Sequence, residues 1–350
     1  MNKIFLLLLF YALQLFATPQ FTKEYHIQCN ACHSAFPVLN ETGRTFLRNG
    51  FRFSVDETTT WQKLTQESNT TYIPATVILN ASYNSLTEKF KGGIKPFIAG
   101  TFTSSDSLFF SLGNNKNIYY QKNINEENHV IRAGFLSVYT QLSSVNKLAS
   151  QMSVSCNEDN CENIFKTPIQ KASLQSIKGV EYSYKKDNTL ILASLGVTQD
   201  NTNNKVCVDA YDLDYASEPQ IALGIKHTLK GYNVGIIYSK IKNADLTNYS
   251  LVSFLDKDFQ PFAIHFAYIY KDDTNQNYYG LESMLSYTYD DTLYFKIFGS
   301  YDDDLLYSNA SGSVGFEKIY NHFIISSYLT QRKNNALHET MLQTSLKLYF

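Results

Sequence analysis

From residue 71 to residue 350 the chain alternates between apolar positions and polar or small ones with a period of two. Leu281, Ser283, Leu285, Tyr287 and Tyr289 fall on one face of an extended chain, and Gly280, Glu282, Met284, Ser286 and Thr288 fall on the other. Phe262, Ile264, Phe266 and Tyr268 oppose Ala263, His265 and Ala267. Leu293, Phe295 and Ile297 oppose Lys296 and Ser300, although Tyr294 and Phe298 blur the second face. Successive side chains of a strand point to opposite sides, so each segment reads as a β-strand with one apolar face. Repeated segments of about ten residues with this alternation mark an all-β fold, an antiparallel transmembrane β-barrel.

Sixteen strands can be threaded through 71–350. The spans include 107–113, 130–141, 146–154, 248–255 and a last one over 337–350. The spans 107–113 and 248–255 are weak, so fourteen strands stay open. An even count leaves both barrel ends on the periplasmic side. It makes Ser104–Asp106, Lys186–Asn188, Lys230–Asn233, Asp290–Asp291 and Tyr320–Asn321 short periplasmic turns, and residues 114–129, 155–172 and 200–219 long outer loops. In the last strand Leu342, Thr344, Leu346, Leu348 and Phe350 alternate with Gln343, Ser345, Lys347 and Tyr349. A final strand ending in Phe is typical of bacterial outer-membrane barrels. The alternatives are a soluble β-sandwich and a solenoid. A solenoid needs a fixed repeat, and none is visible. A sandwich of this size calls for fewer outward Leu, Ile and Phe.

The N-terminus has a different character. Lys3 precedes an apolar run from Ile4 to Leu13, and Phe16-Ala17 lead into Thr18-Pro19. This reads as a secretory signal peptide over 1–17, cut after Ala17, with an uncleaved anchor as the alternative. Export places the cysteines where disulfides and covalent cofactor attachment form. The division expected is 1–17 signal peptide, 18–70 a small helical module, and 71–350 the barrel.

The net charge of −2 and the lack of a basic cluster give no case for a nucleic-acid partner, and none is expected. The unusual figure is 26 Tyr and 24 Phe, apolar surface spread thinly along the chain. Of five cysteines, the first two lie in Cys29-Asn30-Ala31-Cys32-His33, the C-x-x-C-H pattern of haem c attachment. Two residues between the thiols set both sulfurs under the vinyl groups of one porphyrin, and His33 then supplies the proximal ligand. A zinc site would call for a second cysteine pair nearby, and none occurs before Cys156. A thioredoxin-like pair would call for a βαβ context, and none is visible. Cys156 and Cys161 read as a disulfide closing a polar hairpin, which leaves Cys207 as a loop thiol.

The stretch from Pro19 to Phe51 reads PQFTKEYHIQCNACHSAFPVLNETGRTFLRNGF. Its Phe21-Thr22-Lys23-Glu24-Tyr25 lead-in, haem motif, Phe36-Pro37-x-Leu39-Asn40, Gly43-Arg44-x-Phe46 and Asn49-Gly50-Phe51 resemble the N-terminal module of bacterial outer-membrane porin–cytochrome c fusions. The best-known members of that family are monohaem iron oxidases. The resemblance implies one covalent haem held in or beneath an outer-membrane barrel. It implies electron transfer between an extracellular donor or acceptor, iron(II) or mineral iron among them, and a periplasmic c-type cytochrome. It supports electron transfer more firmly than it supports an iron(II):cytochrome c oxidoreductase. The alternative function is a porin for small solutes or ions with the module as plug or anchor.

Read from the residues alone, Glu41 to Asn49 has a helical spacing stopped by Gly50, and would pack Phe36, Leu39, Phe46 and Phe51 around the porphyrin. The module is too small for a core of its own and should lean on another surface. The sixth ligand of the iron is open among His26, His265, Met284 and Met341, the last three on the expected lumen face. His227 and His338 fall outward or at the rim.

Overall fold

The computed structural model describes residues 20–35, 38–54, 56–66, 75–85, 88–112, 117–124, 128–136, 141–142, 168, 177–198, 218–242, 247–273, 276–290, 292–303, 308–320, 323–333 and 338–349. The expected signal peptide, the Cys156–Cys161 pair, Cys207 and Phe36-Pro37 lie outside these residues.

The N-terminal part holds α1 (Gln20–Tyr25), a 3-10 turn (Cys29–Ala31), a two-stranded hairpin of β1 (His33–Ala35) and β2 (Val38–Leu39), α2 (Glu41–Arg48) and α3 (Thr60–Gln66). The barrel opens with β3 (Ala75–Asn84), β4 (Lys89–Thr101), β5 (Asp106–Ser111), β6 (Asn117–Ile124), β7 (His129–Leu136), β8 (Ile177–Lys186), β9 (Thr189–Thr198) and β10 (Pro219–Leu229). It continues with β11 (Tyr232–Lys242), β12 (Thr247–Phe259), β13 (Phe262–Asp273), β14 (Gln276–Asp290), β15 (Leu293–Asp303), β16 (Ser308–Ile319), β17 (Phe323–Lys333) and β18 (His338–Tyr349). Each pairs antiparallel with its neighbours in sequence, and β18 pairs with β3, closing a barrel of sixteen strands.

The count matches the expectation, but one strand does not. The segment expected as a long outer loop, 114–129, contains β6. Its Tyr119, Gln121 and Asn123 are buried, while Tyr120 and Ile124 are exposed. Tyr119-Tyr120 and Lys122-Asn123 put like residues side by side, which hides the alternation. The span expected at 146–154 falls outside the described residues. The weak span 248–255 is part of a thirteen-residue strand, β12.

The burial pattern is inverted relative to a protein folded in water. Glu181, Lys226, Asp256, Glu282, Lys296 and Glu317 are buried, whereas Ile221, Leu223, Ile225, Ile236, Phe266 and Ile297 are exposed. In β10 the two sets alternate residue by residue. Hydrocarbon outside and charge inside is what a closed sheet needs when lipid is its solvent. Closure is what makes this affordable, since no strand edge is left with unpaired backbone groups. The buried charges meet inside: Lys296 Nζ lies 2.5 Å from Glu317 Oε2, and Arg132 pairs with Glu181.

At one end the strands are joined by tight turns. Lys230 (φ 49°) and Gly231 (φ 76°) connect β10 to β11. Left-handed backbone at both central positions of a two-residue hairpin matches the twist of the flanking strands. The expected short turns at 186–188 and 230–233 lie at this end, as do Asp290 at the close of β14, the first residue of β3 and the last of β18.

Candidate functional site

The C-x-x-C-H segment is built as a single 3-10 turn followed by an extended residue. Cys29, Asn30 and Ala31 form the turn, the Cys32 N–H donates to the Cys29 carbonyl at 3.3 Å, and His33 opens β1. Both cysteines are half-buried. Burial pushes the Cys32 thiol up from its ordinary pKa, and the adjacent Cys29 adds to the shift. A compact turn that presents two thiols and then an imidazole is the donor set a covalent haem requires, so these residues fit the group.

Asn40 holds this turn. Its side-chain N–H groups reach the carbonyls of Asn30 (3.2 Å) and Ala31 (3.1 Å), and its backbone N–H donates to Cys32 O at 3.0 Å. Its Oδ1 accepts from the Gly43 N–H at 2.9 Å, making Asn40 the N-cap of α2. One side chain thus satisfies an orphan donor of the helix and two carbonyls of the cysteine turn. Arg44, fully buried, donates to Leu39 O at 2.7 Å.

α2 ends on the inward face of the barrel wall. Gln121 Nε2 and Asn123 Nδ2 of β6 each donate to the Arg48 carbonyl at 2.8 Å, supplying partners that the last turn of a helix lacks. The Arg48 guanidinium donates to Ser183 Oγ of β8 and to Gln141 Oε1, both at 2.8 Å. At the other end of α2, Glu41 meets Lys226 of β10 at 2.9 Å. Burial raises the Glu41 pKa, but Lys226 and Arg44 outweigh it and hold the carboxyl below its usual range.

Two apolar clusters divide the N-terminal part. Phe46 and Phe51 pack with Phe21, Tyr25, Phe97 and Phe109; Phe21 and Phe51 stack at 5.7 Å, and Phe51 and Phe109 at 5.6 Å. Cys29 belongs to the second cluster, with Val38, Met284, Tyr294, Phe298, Ile319, Ile324 and Tyr349. Phe46 and Phe51 therefore lie in a different apolar cluster from the one that Cys29 packs against. They pack on Phe97 and Ala99 of β4 and Phe109 of β5.

The four candidate sixth ligands separate clearly. His265 and Met284 are directly paired across β13 and β14, both are buried, and β1 packs against those two strands. Ser34, next to His33, neighbours Asp258, which also lies within electrostatic range of His265. Met341 is buried in β18, but its sulfur accepts from Asn84 Nδ2 at 3.0 Å. From Met341 to Tyr349, which sits beside Cys29, the strand rises about 26 Å at ~3.3 Å per residue. His26 is exposed, in a left-handed conformation (φ 51°) between α1 and the turn. His227 and His338 are exposed, as expected.

Sequence reasoning did not single out Asn40 as the clamp, nor Lys226, Gln121 and Asn123 as wall contacts. The only signal for Asn40 was its place three residues before Gly43 at the start of a helical spacing. Among the described residues there is no cluster of three or more metal-ligating side chains from the protein alone.

No family model matches the sequence, and no curated protein matches it. Solved structures do match. A loop L8 deletion mutant of OmpT, an outer-membrane protein of Vibrio cholerae, aligns with a TM-score of 0.54 and 12% identity over 79% of this chain and 97% of that one. An anion-selective porin from Comamonas acidovorans aligns at 0.51 and 10% identity over 79% and 98%. Salmonella typhi OmpF in complex with daunomycin aligns at 0.51 and 11% identity over 79% and 96%. At these identities the likeness is one of fold and says nothing of haem. The chain has the closed sixteen-strand antiparallel barrel of outer-membrane porins.

Proposed function

We propose that this protein is an outer-membrane electron conduit with one haem c, joined to Cys29 and Cys32 and ligated by His33. In this reading residues 18–70 form a monohaem module seated at the periplasmic mouth of the barrel. Electrons pass between an extracellular donor or acceptor, with iron(II) the first donor to test, and a periplasmic c-type cytochrome. One observation carries the reading. The C-x-x-C-H turn is clamped by Asn40 and seated on apolar wall residues, with a buried histidine and a buried methionine beside it. A wall of hydrocarbon and fixed dipoles around a porphyrin sets its potential and limits water access.

The test uses full-length protein from a host that matures c-type cytochromes. The expected result is covalent haem absorbance that C29S and C32S both abolish, and that added iron(II) reduces in intact cells. Haem that no external donor or acceptor can reach from outside argues against the conduit.

A second reading is favoured by the fold likeness to porins. The barrel passes small ions or solutes, and the N-terminal module plugs or anchors it. Glu181, Lys296 and Glu317 on the inner face suit a polar lumen. Planar-bilayer conductance of the order of an open porin, indifferent to haem reduction, would select it.

A further inference from the structure

We infer that His265 binds the haem iron through Nε2 as its second axial ligand, and that Asp256 is the positioning residue for it. The inference rests on the haem reading above and deepens it. His265 is 1% exposed and points inward from β13. Its Nδ1 lies 3.1 Å from Asp256 Oδ1 on β12, its cross-strand partner. With Nδ1–H donating to the carboxylate, the lone pair of the neutral ring is on Nε2. That atom is buried and has no hydrogen-bond partner. A buried imidazole oriented by a carboxylate, with its second nitrogen unused, is the arrangement that metal-binding histidines adopt.

A haem on the cysteine turn would bring its iron to this neighbourhood. β1, which starts at His33, packs on β13 and β14, and Ser34 lies beside Asp258, two residues along β12 from Asp256. Met284 is the rival across the ladder, in the apolar cluster against which Cys29 also packs, but no carboxylate orients its thioether as Asp256 orients His265. His265 thus has one nitrogen held by a carboxylate and the other left over.

The experiment measures covalent haem and iron ligation separately on full-length detergent-purified protein. Wild type is expected to be low-spin in the ferric state, with no methionine–iron charge-transfer band in the near infrared. H265A should keep covalent haem but lose the low-spin spectrum, bind carbon monoxide when reduced, and recover low-spin iron on adding imidazole. H265M should show the methionine band and a raised midpoint potential. D256N should stay low-spin with an altered potential, a change that a merely structural role would not produce. Barrel folding in every variant is checked by heat-modifiable gel mobility. If H265A does not fold, H265M carries the test by itself. Haem-loaded H265A or H265M with an unchanged wild-type spectrum overturns the assignment, as does loss of low-spin iron in M284L instead. Wild-type protein without covalent haem overturns the haem reading itself.

Discussion

A β-carbon placed on Gly43 would stand 2.2 Å from the carbonyl oxygen of Cys32, so α2 and the cysteine turn are in backbone contact. Nothing larger than hydrogen fits between them without moving the main chain. Gly43→Ala should therefore loosen the turn by about 1–3 kcal/mol, the usual cost of overpacking. Protease susceptibility of residues 18–70 should rise while the gel mobility of the folded barrel stays unchanged. Wild-type resistance in the variant would contradict the contact.

Asn40 has two roles that substitution can separate. Asn40→Ala removes the helix cap, worth about 1 kcal/mol, and with it the donors to the Asn30 and Ala31 carbonyls. Asn40→Asp keeps the acceptor for the Gly43 N–H and loses only the donors. Amide hydrogen exchange should show α2 retained in Asn40→Asp but the cysteine turn opened in both variants. Equal exchange at the turn in wild type and Asn40→Asp would remove the clamp.

Arg132 and Glu181 pair inside the wall, with Arg132 also lying 5.0 Å over the Tyr119 ring. Glu181→Leu leaves the guanidinium buried without its counter-charge, which should cost about 3–5 kcal/mol. Thermal unfolding followed by gel mobility should show a lower midpoint for Glu181→Leu. The double variant with Arg132→Leu should recover much of the loss. A single variant as stable as wild type would show that the pair is solvated.

Glu41 gives the docking of α2 a pH dependence. Its folded pKa lies below the unfolded value of about 4.3. The unfolded or undocked state therefore binds the proton more readily, so the Glu41 contribution is present above that value. It is lost as pH falls through the lower, folded pKa. The protection of α2 amides, taken relative to their intrinsic exchange rate at each pH, should be constant from neutral pH to about 5 and fall in more acid solution, with the Glu41 part of that change absent in Glu41→Gln. Loosening that begins above neutral pH would point to another group.

Much of the barrel was legible in the chain because strand alternation is local. Ile264, Phe266 and Tyr268 face outward and Ala263, His265 and Ala267 inward in the folded protein as the pattern implied. The inward placement of Met284 and Met341 follows from the same rule. Helix α2 was legible too, in its helical spacing and its stop at Gly50 (φ 69°), although its cap, Asn40, was not. β6 escaped because its inner face carries Tyr119, Gln121 and Asn123. An aromatic on the inner face, Tyr119, and a lysine on the outer one, Lys122, blur the contrast that marks the other strands. Gln121 and Asn123 also hold the α2 terminus.

Sequence alone determined which residues turn inward, since successive side chains of an extended chain alternate whatever the strand is paired with. It also determined the order of cysteines and histidine in one short turn. Only the tertiary structure decided which inward residues that turn meets. Closure of β18 on β3 and the course of α2 bring residue 41 to 226, 48 to 183, and the 29–33 turn to the wall at 265 and 284. Period-two alternation gives a residue its side of the sheet but not its height along the barrel or its position around it. Height and position follow from register and closure across the whole chain, which no local pattern contains.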